Sequence, residues 1–292
     1  MKRLSCLLVL LSILLASCSL NLLSQEDALG TASDFSGTVI SDAGDFLILL
    51  ISDTHEGRVK SVYTDYYTQL TNWLKSSSPF QAAFLLGDIT NDATSEQYAS
   101  ALSKYGGMNS SVYVTAGNHD VRKNGRNLFL STFGKVYQKV IIGGISFYLL
   151  DSSFRCFGKA QLDKLKQALK QDGNPKFFLT HMPLAGQDVN YYYLCLSDSD
   201  ERKLLLALMK ENNVNLYLAG HRHLLMDTVT YSDTCHEVDI GPLNGKNITI
   251  EQPPNWYTLS YNSTTKEATI TQYIGQGNSV EQHTVGTFII AQ

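Results

Sequence analysis

The apolar positions of this chain follow two kinds of pattern. Short apolar, β-branched or leucine-rich runs occur at Phe46 to Ile51, Ala82 to Leu86, Val112 to Ala116 and Val214 to Ala219. Each is too short for a buried helix, so they predict strands covered on both faces. Between them the spacing changes. Tyr66, Leu70, Trp73 and Leu74 predict a helix over 62–75, and 95–105 reads the same way. Leu162, Leu165 and Leu169 predict an amphipathic helix over 159–171, and a further helix is expected over 200–210, capped by Asp198 or Ser199. Gly143-Gly144 separates two apolar runs, 136–142 and 145–150, as a hairpin would. A strand is expected at 176–180, and after residue 223 only strand patterns remain, at 226–231, 256–261 and 268–274. Strand–helix alternation followed by antiparallel strands predicts an α/β fold with two sheets between helices.

The polar residues that end the strand runs carry the candidate chemistry. Asp53-Thr54-His55 follows the first run, Gly87-Asp88 the second and Gly117-Asn118-His119-Asp120 the third. Gly220-His221-Arg222-His223 follows the fourth, and His181 ends the strand at 176–180. In open α/β sheets, sites are built at the carboxyl ends of strands. Carboxylate, amide and imidazole donors gathered there suit first-row transition metals.

These five blocks, in this order over about Phe46 to His223, resemble the calcineurin-like metallophosphoesterase superfamily. The resemblance implies a four-layer α/β/β/α sandwich with two mixed central β-sheets. It also implies two divalent metal ions, of manganese, iron or zinc. Asp53, His55 and His223 would hold the first ion, Asn118, His181 and His221 the second, and Asp88 would bridge them. Two such ions, about 3.5–4 Å apart, bind phosphate oxygens and turn a bridging water into a hydroxide that attacks the phosphorus. His119 is not a ligand in this pattern; it faces the substrate and protonates the departing oxygen.

The chain departs from the family at informative places. Met182 stands where many members carry His or Asn. Asn91 stands where an acid often orients the catalytic histidine, leaving Asp92 or Asp120 as substitutes. Purple acid phosphatases place a tyrosinate at the position of Asn91 and lack the histidine equivalent to His55. Protein Ser/Thr phosphatases carry an arginine where this chain reads Asn91-Asp92-Ala93. What remains resembles the cyclic-nucleotide-phosphodiesterase-like branch, which implies a small-molecule phosphodiester as substrate. A phosphomonoesterase or nucleotide pyrophosphatase on the same site is the alternative among enzymes. A surface lipoprotein that binds a partner through a vestigial site is the alternative outside them.

The 292 residues suit one large domain, expected over 45–292. A net charge of −4 and a pI near 6.0 argue against general attraction to nucleic acid or anionic lipid. At the N-terminus, Lys2 and Arg3 precede an apolar stretch, Leu7 to Leu15, too short to span a membrane. Residues 1–17 therefore read as a signal peptide. Leu15-Ala16-Ser17-Cys18 resembles the lipobox of bacterial lipoproteins, which makes Cys18 the expected site of lipidation and 18–44 a tether. The protein is thus expected in the bacterial cell envelope, reaching the membrane through its lipid anchor only. An ordinary secretory signal is the plainer alternative, and N-x-Ser/Thr sequons at Asn109, Asn247 and Asn262 leave eukaryotic secretion open. Export permits one disulfide among Cys156, Cys195 and Cys235. His236 and His283 fall outside the motifs and read as surface residues. Tyr191-Tyr192-Tyr193 offers either an aromatic wall for a base or ordinary packing.

Overall fold

A computed structural model describes residues 33–58, 66–108, 110–184, 194–223, 226–244 and 252–291. The elements are, in chain order, β1 (Thr38–Val39), β2 (Phe46–Ile51), α1 (Tyr66–Ser76), β3 (Ala82–Leu86), α2 (Ser95–Tyr105), β4 (Ser111–Thr115), α3 (Gly125–Phe133), β5 (Gln138–Ile142) and β6 (Ile145–Leu149). They continue with α4 (Lys159–Gln171), β7 (Lys176–Leu179), α5 (Ser199–Glu211), β8 (Val214–Ala219), β9 (Met226–Ser232), β10 (Cys235–Ile240), β11 (Asn255–Asn262), β12 (Glu267–Gln276) and β13 (Ser279–Ile289). Two mixed sheets result: a seven-stranded one ordered β1-β5-β6-β7-β8-β10-β9, and a six-stranded one ordered β13-β12-β11-β2-β3-β4.

Strand periodicity of two explains the layering. On β2 and β3, Ile48, Leu50, Phe84 and Leu86 join Phe147, Leu149, Phe177, Leu179, Leu216 and Leu218 of the other sheet in one core. The alternate residues, Leu49, Ile51, Ala83, Leu85, Tyr148, Phe178 and Tyr217, fall in a second core with Leu70, Tyr98, Tyr105, Leu165 and Leu205 of the helices. The apolar runs are therefore strands covered by a sheet on one face and helices on the other. This is the α/β/β/α sandwich.

Four elements were not legible in the apolar pattern. Helix α3 starts at Asn124, whose side chain makes no capping bond, and its Gly, Ser and Thr content weakens the helical signal. Strand β10 buries Glu237 and Asp239, which inverts the expected polarity of a half-buried strand. Strand β13 is an edge strand whose residues are mostly exposed. Strand β1 has only two residues, in the polar segment read as a tether. That segment is not separate from the domain: β1 pairs in parallel with β5, and Ser33 Oγ accepts from Val136 N at 3.0 Å. Phe35 is buried between Tyr137 and Tyr148, with ring centroids 5.2 and 5.4 Å away. A single aromatic anchor in polar sequence carries this docking, so the domain extends back at least to Ser33.

Asp198 caps α5, accepting from Asp200 N and Glu201 N, which decides between the two expected caps. No disulfide joins Cys156, Cys195 and Cys235. His236 is half-buried on β10 and meets Thr230 Oγ1 at 3.1 Å, while His283 is exposed beside Glu281. Cys18, Asn109, Tyr191-Tyr192-Tyr193 and Asn247 lie outside the described residues, whereas Asn262 ends β11.

Candidate metal centre

The site lies at the carboxyl ends of β2, β3, β4, β7 and β8, where both sheets contribute loops. Backbone bonds stitch these loops together. Asp53 N donates to Gly87 O at 3.1 Å, His55 N to Asp88 O at 2.9 Å, and Gly220 N to His181 O at 3.0 Å. Asp53, His55, Asp88, His221 and His223 all have positive φ, between 43° and 70°. Left-handed backbone at residues with a Cβ is uncommon and concentrates at functional sites.

The motif glycines are explained by close approach. A Cβ on Gly87, whose φ is +81°, would lie 2.6 Å from the His181 ring. On Gly117 it would lie 2.2 Å from Asp88 N and Oδ1, and on Gly220 1.9 Å from Ser52 Oγ. Each glycine lets one loop pass against a donor residue carried by another.

All seven expected ligands are brought together. Asp53, His55 and His223 form one cluster: His223 Nε2 is 3.0 Å and His55 Nε2 3.7 Å from Asp53 Oδ1, and the two imidazole nitrogens are 3.0 Å apart. Asp88, His181 and His221 form a second, with His181 Nε2 3.4 Å from Asp88 Oδ2 and 3.3 Å from Asn118 Oδ1. The same Asp88 Oδ2 lies 3.7 Å from His55 Nε2 and 3.9 Å from His119 Nε2. Its carboxylate thus stands between the clusters, as a bridging ligand must.

The donor set fits a cation. Asp53 Oδ1 is buried, and what faces it are the Nε2 atoms of His223 and His55, at 3.0 and 3.7 Å. Two imidazole nitrogens and that oxygen turn lone pairs toward one place, an arrangement that divalent transition metals satisfy. His181 Nδ1 donates to Leu86 O at 2.8 Å, which fixes its tautomer and leaves Nε2 as the donor atom. Asp53 Oδ2 is held by Ser52 Oγ at 2.6 Å and His221 N at 3.0 Å.

The electrostatics agree. Burial pushes the Asp88 carboxyl up, yet His181, His55 and His119 outweigh it and hold the group well below the carboxylate range. Asp53 behaves alike: burial is outweighed by His223 and His181. Burial holds His55 well below the usual histidine value and takes His221 down to about 3. Burial also acts against the charge of His181, but Asp88 prevails and its value rises to about 9. Asp53 and Asp88 are thus held as carboxylates, whose negative charge favours a cation between them.

His119 has neither expected acid partner. Its Nδ1 meets the Asn91 carbonyl oxygen at 2.7 Å, so that nitrogen carries the proton, and Arg122 Nη2 lies 2.7 Å from Nε2. Burial lowers the ring's pKa. Asp120 has a different task. It accepts from Gly117 N at 2.9 Å, Ile89 N at 3.1 Å, and Thr90 N and Oγ1 at 2.8 and 2.9 Å, latching the second motif loop to the third. Burial, then the nearby Asp88 charge, raise its carboxyl to about 6.

Two positioning groups, Glu56 and Asp239, lie outside the sequence motifs. Glu56, next to His55, is buried and accepts from Lys104 Nζ at 2.8 Å and Ser100 Oγ at 2.9 Å, tying its loop to α2. Arg222, between two expected ligands, forms a buried ion pair with Asp239 on β10. Asp239→Ala should cost about 3–5 kcal/mol, because it removes the carboxylate from a buried ion pair. Urea unfolding checks this; replacing both partners with apolar residues should recover most of the loss.

Comparison with known proteins agrees with this geometry. In fold the chain is similar to the purple acid phosphatase PPD1 from yellow lupin (Lupinus luteus) seeds, with a TM-score of 0.62 at 13% identity, covering 84% of this chain and 53% of that one. The chain therefore spans about half the length of that phosphatase. It is also similar to GAP50, the anchor in the inner membrane complex of Plasmodium, with a TM-score of 0.63 at 12% identity, covering 85% of this chain and 90% of that one. At such identities the likeness shows the fold alone. No curated protein matches the chain. A family model for calcineurin-like phosphoesterases matches residues 46–225, the stretch that holds all seven expected ligands, and the chain belongs to that family.

Proposed function

We propose that this protein is an exported, metal-dependent hydrolase of phosphodiester bonds. The observation that carries the reading is the place of Asp88, whose carboxylate meets imidazoles of both clusters. Asp53, His55 and His223 would hold one ion, and Asn118, His181 and His221 the other. Manganese, iron and zinc all suit these donors. Bound there, two divalent ions supply Lewis acidity toward the phosphoryl oxygens and acidify a water.

The chain's own residues have separate tasks. Asp88 and Asp53 balance cationic charge. Asn91 O fixes the tautomer of His119, whose Nε2 faces the site edge, where a protonated ring would serve the departing oxygen. A panel of phosphodiesters, phosphomonoesters and pyrophosphates against manganese-loaded protein tests the reading. Turnover of diesters is expected, and no turnover of any member would defeat it.

Export rests on Lys2, Arg3 and the apolar stretch before Cys18. Leu15-Ala16-Ser17-Cys18 supports a lipid at Cys18 as the anchor; no helix among the described residues is long and apolar enough to cross a membrane. In a bacterial host, Cys18→Ser is expected to move the protein from the membrane fraction to an unprocessed or soluble form. Unchanged mass and detergent partitioning would remove the anchor and leave the hydrolase reading intact.

A further inference from the structure

The lack of an arginine in Asn91-Asp92-Ala93 suggests a site without a cationic clamp. The fold supplies one from other loops. Arg122, just past the third motif, places Nη1 3.0 Å from Asn91 O and Nη2 2.7 Å from His119 Nε2. Its side chain is 42% exposed, and the nearest acid is Asp92, at 3.8 Å. Arg58 follows the first motif, with its backbone N bonded to His55 O at 3.0 Å. It is half-buried, and it lies close enough to Asp53, Asp88 and Arg122 to feel their charges. The Arg122 guanidinium therefore stands beside the metal centre on a loop separate from the second motif.

The position of Arg122 decides what it can bind. Its nearest site atom is the outer nitrogen of His119, which itself stands 3.9 Å from Asp88 Oδ2. The guanidinium thus lies one ring farther out than the ligands, on the side where His119 would meet the departing oxygen. Its present partner there, an imidazole lone pair, is neutral. An anion in the same place would make a charge-assisted and forked contact, which is stronger. The net charge of the seven ligands is −2, from Asp53 and Asp88 alone. Two divalent ions would outweigh that charge, and Arg122 adds a further positive charge at the mouth.

We propose that Arg122 binds an anionic group on the departing part of the substrate, so that the site favours phosphoanhydrides of the nucleoside-diphosphate type over diesters with uncharged leaving groups. This rests on the phosphodiester reading and narrows it, since the attacked phosphorus of such an anhydride is itself doubly esterified. In the reaction, a water oxygen bonds to that phosphorus. The bond from phosphorus to the anhydride oxygen breaks, its electron pair leaves with the departing phosphate, and the water proton passes to solvent. A departing phosphate is a weak base and needs no proton. Arg122 can therefore turn from His119 onto it without a proton donor taking its place.

The test compares wild-type, Arg122→Ala and Arg122→Lys proteins, loaded with manganese, on a nucleoside diphosphate sugar and on bis-nitrophenyl phosphate. Arg122→Ala should lower kcat/KM on the anhydride by roughly 10- to 100-fold, the usual weight of a hydrogen bond to a charged group. The loss on the nitrophenyl diester should be smaller by about tenfold, and Lys should recover part of the loss on the anhydride. Manganese content should not change. Calorimetry with a nucleoside monophosphate, the charged product, should show weaker binding to Arg122→Ala by a similar factor. Equal losses on both substrates, or a wild-type protein that cleaves the nitrophenyl diester and not the anhydride, would overturn the proposal. Inactivity of the wild type on both would count against the hydrolase reading instead, and the calorimetric comparison would still decide whether Arg122 binds an anion.

Discussion

Asp88→Ala is expected to weaken both metal positions together, by more than about 100-fold in each affinity, since even residues that merely orient ligands are worth 10- to 100-fold. Activity should fall to background. The reason is geometric: Asp88 Oδ2 lies 3.4 Å from His181 Nε2 in one cluster and 3.7 Å from His55 Nε2 in the other. His223→Ala supplies the contrast. It takes one imidazole from the Asp53 cluster only, so it should lower occupancy by about one ion per chain. Metal analysis of the two variants side by side reads the difference. If Asp88→Ala lost a single ion as His223→Ala does, Asp88 would be a terminal ligand rather than a bridge.

His119→Ala is expected to keep both metals and to lose activity according to the leaving group. An alkoxide such as ribose or glycerol must take up a proton as it departs, and a positioned acid is worth typically 10²–10⁴-fold. A nitrophenolate departs without one. The variant should therefore lose roughly 10² or more on alkyl diesters and far less on bis-nitrophenyl phosphate. Arg122→Ala should do the reverse along a different axis, sparing substrates whose leaving group is uncharged. Equal losses on alkyl and nitrophenyl diesters would remove the acid role of His119. Loss of metal would make it a ligand, a possibility with structural substance because His55, Asp88 and His119 also converge.

Much of this was legible in the chain because strand ends and metal donors coincide. The apolar runs at β2, β3 and β8 read as covered strands, which puts Asp53, Asp88 and His221 at strand ends. Their grouping with His181 as one ligand set came from the resemblance carried by the order of the motifs. The support beneath them was not legible. Asp239 on β10 looks like an outward-facing polar residue until Arg222 is seen against it, and Glu56 looks like a surface acid until Lys104 and Ser100 close over it. The partner of His119 was sought among side chains, whereas a backbone carbonyl, which no sequence displays, does the work. Arg122 was missed for a related reason: the sequence was searched for an arginine in the second motif, and the fold brings one from the third. Phe35 shows the same limit at the domain edge, where one buried ring in polar sequence makes a docked segment resemble a tether.

The central claim is that one carboxylate joins two metal ions between these loops. Crystals of manganese-loaded protein, with anomalous difference maps recorded at the manganese edge, test it most directly. The account predicts two peaks per chain, both within coordination distance of Asp88, one beside Asp53, His55 and His223 and the other beside Asn118, His181 and His221. A single peak, or none, in fully loaded crystals would contradict it.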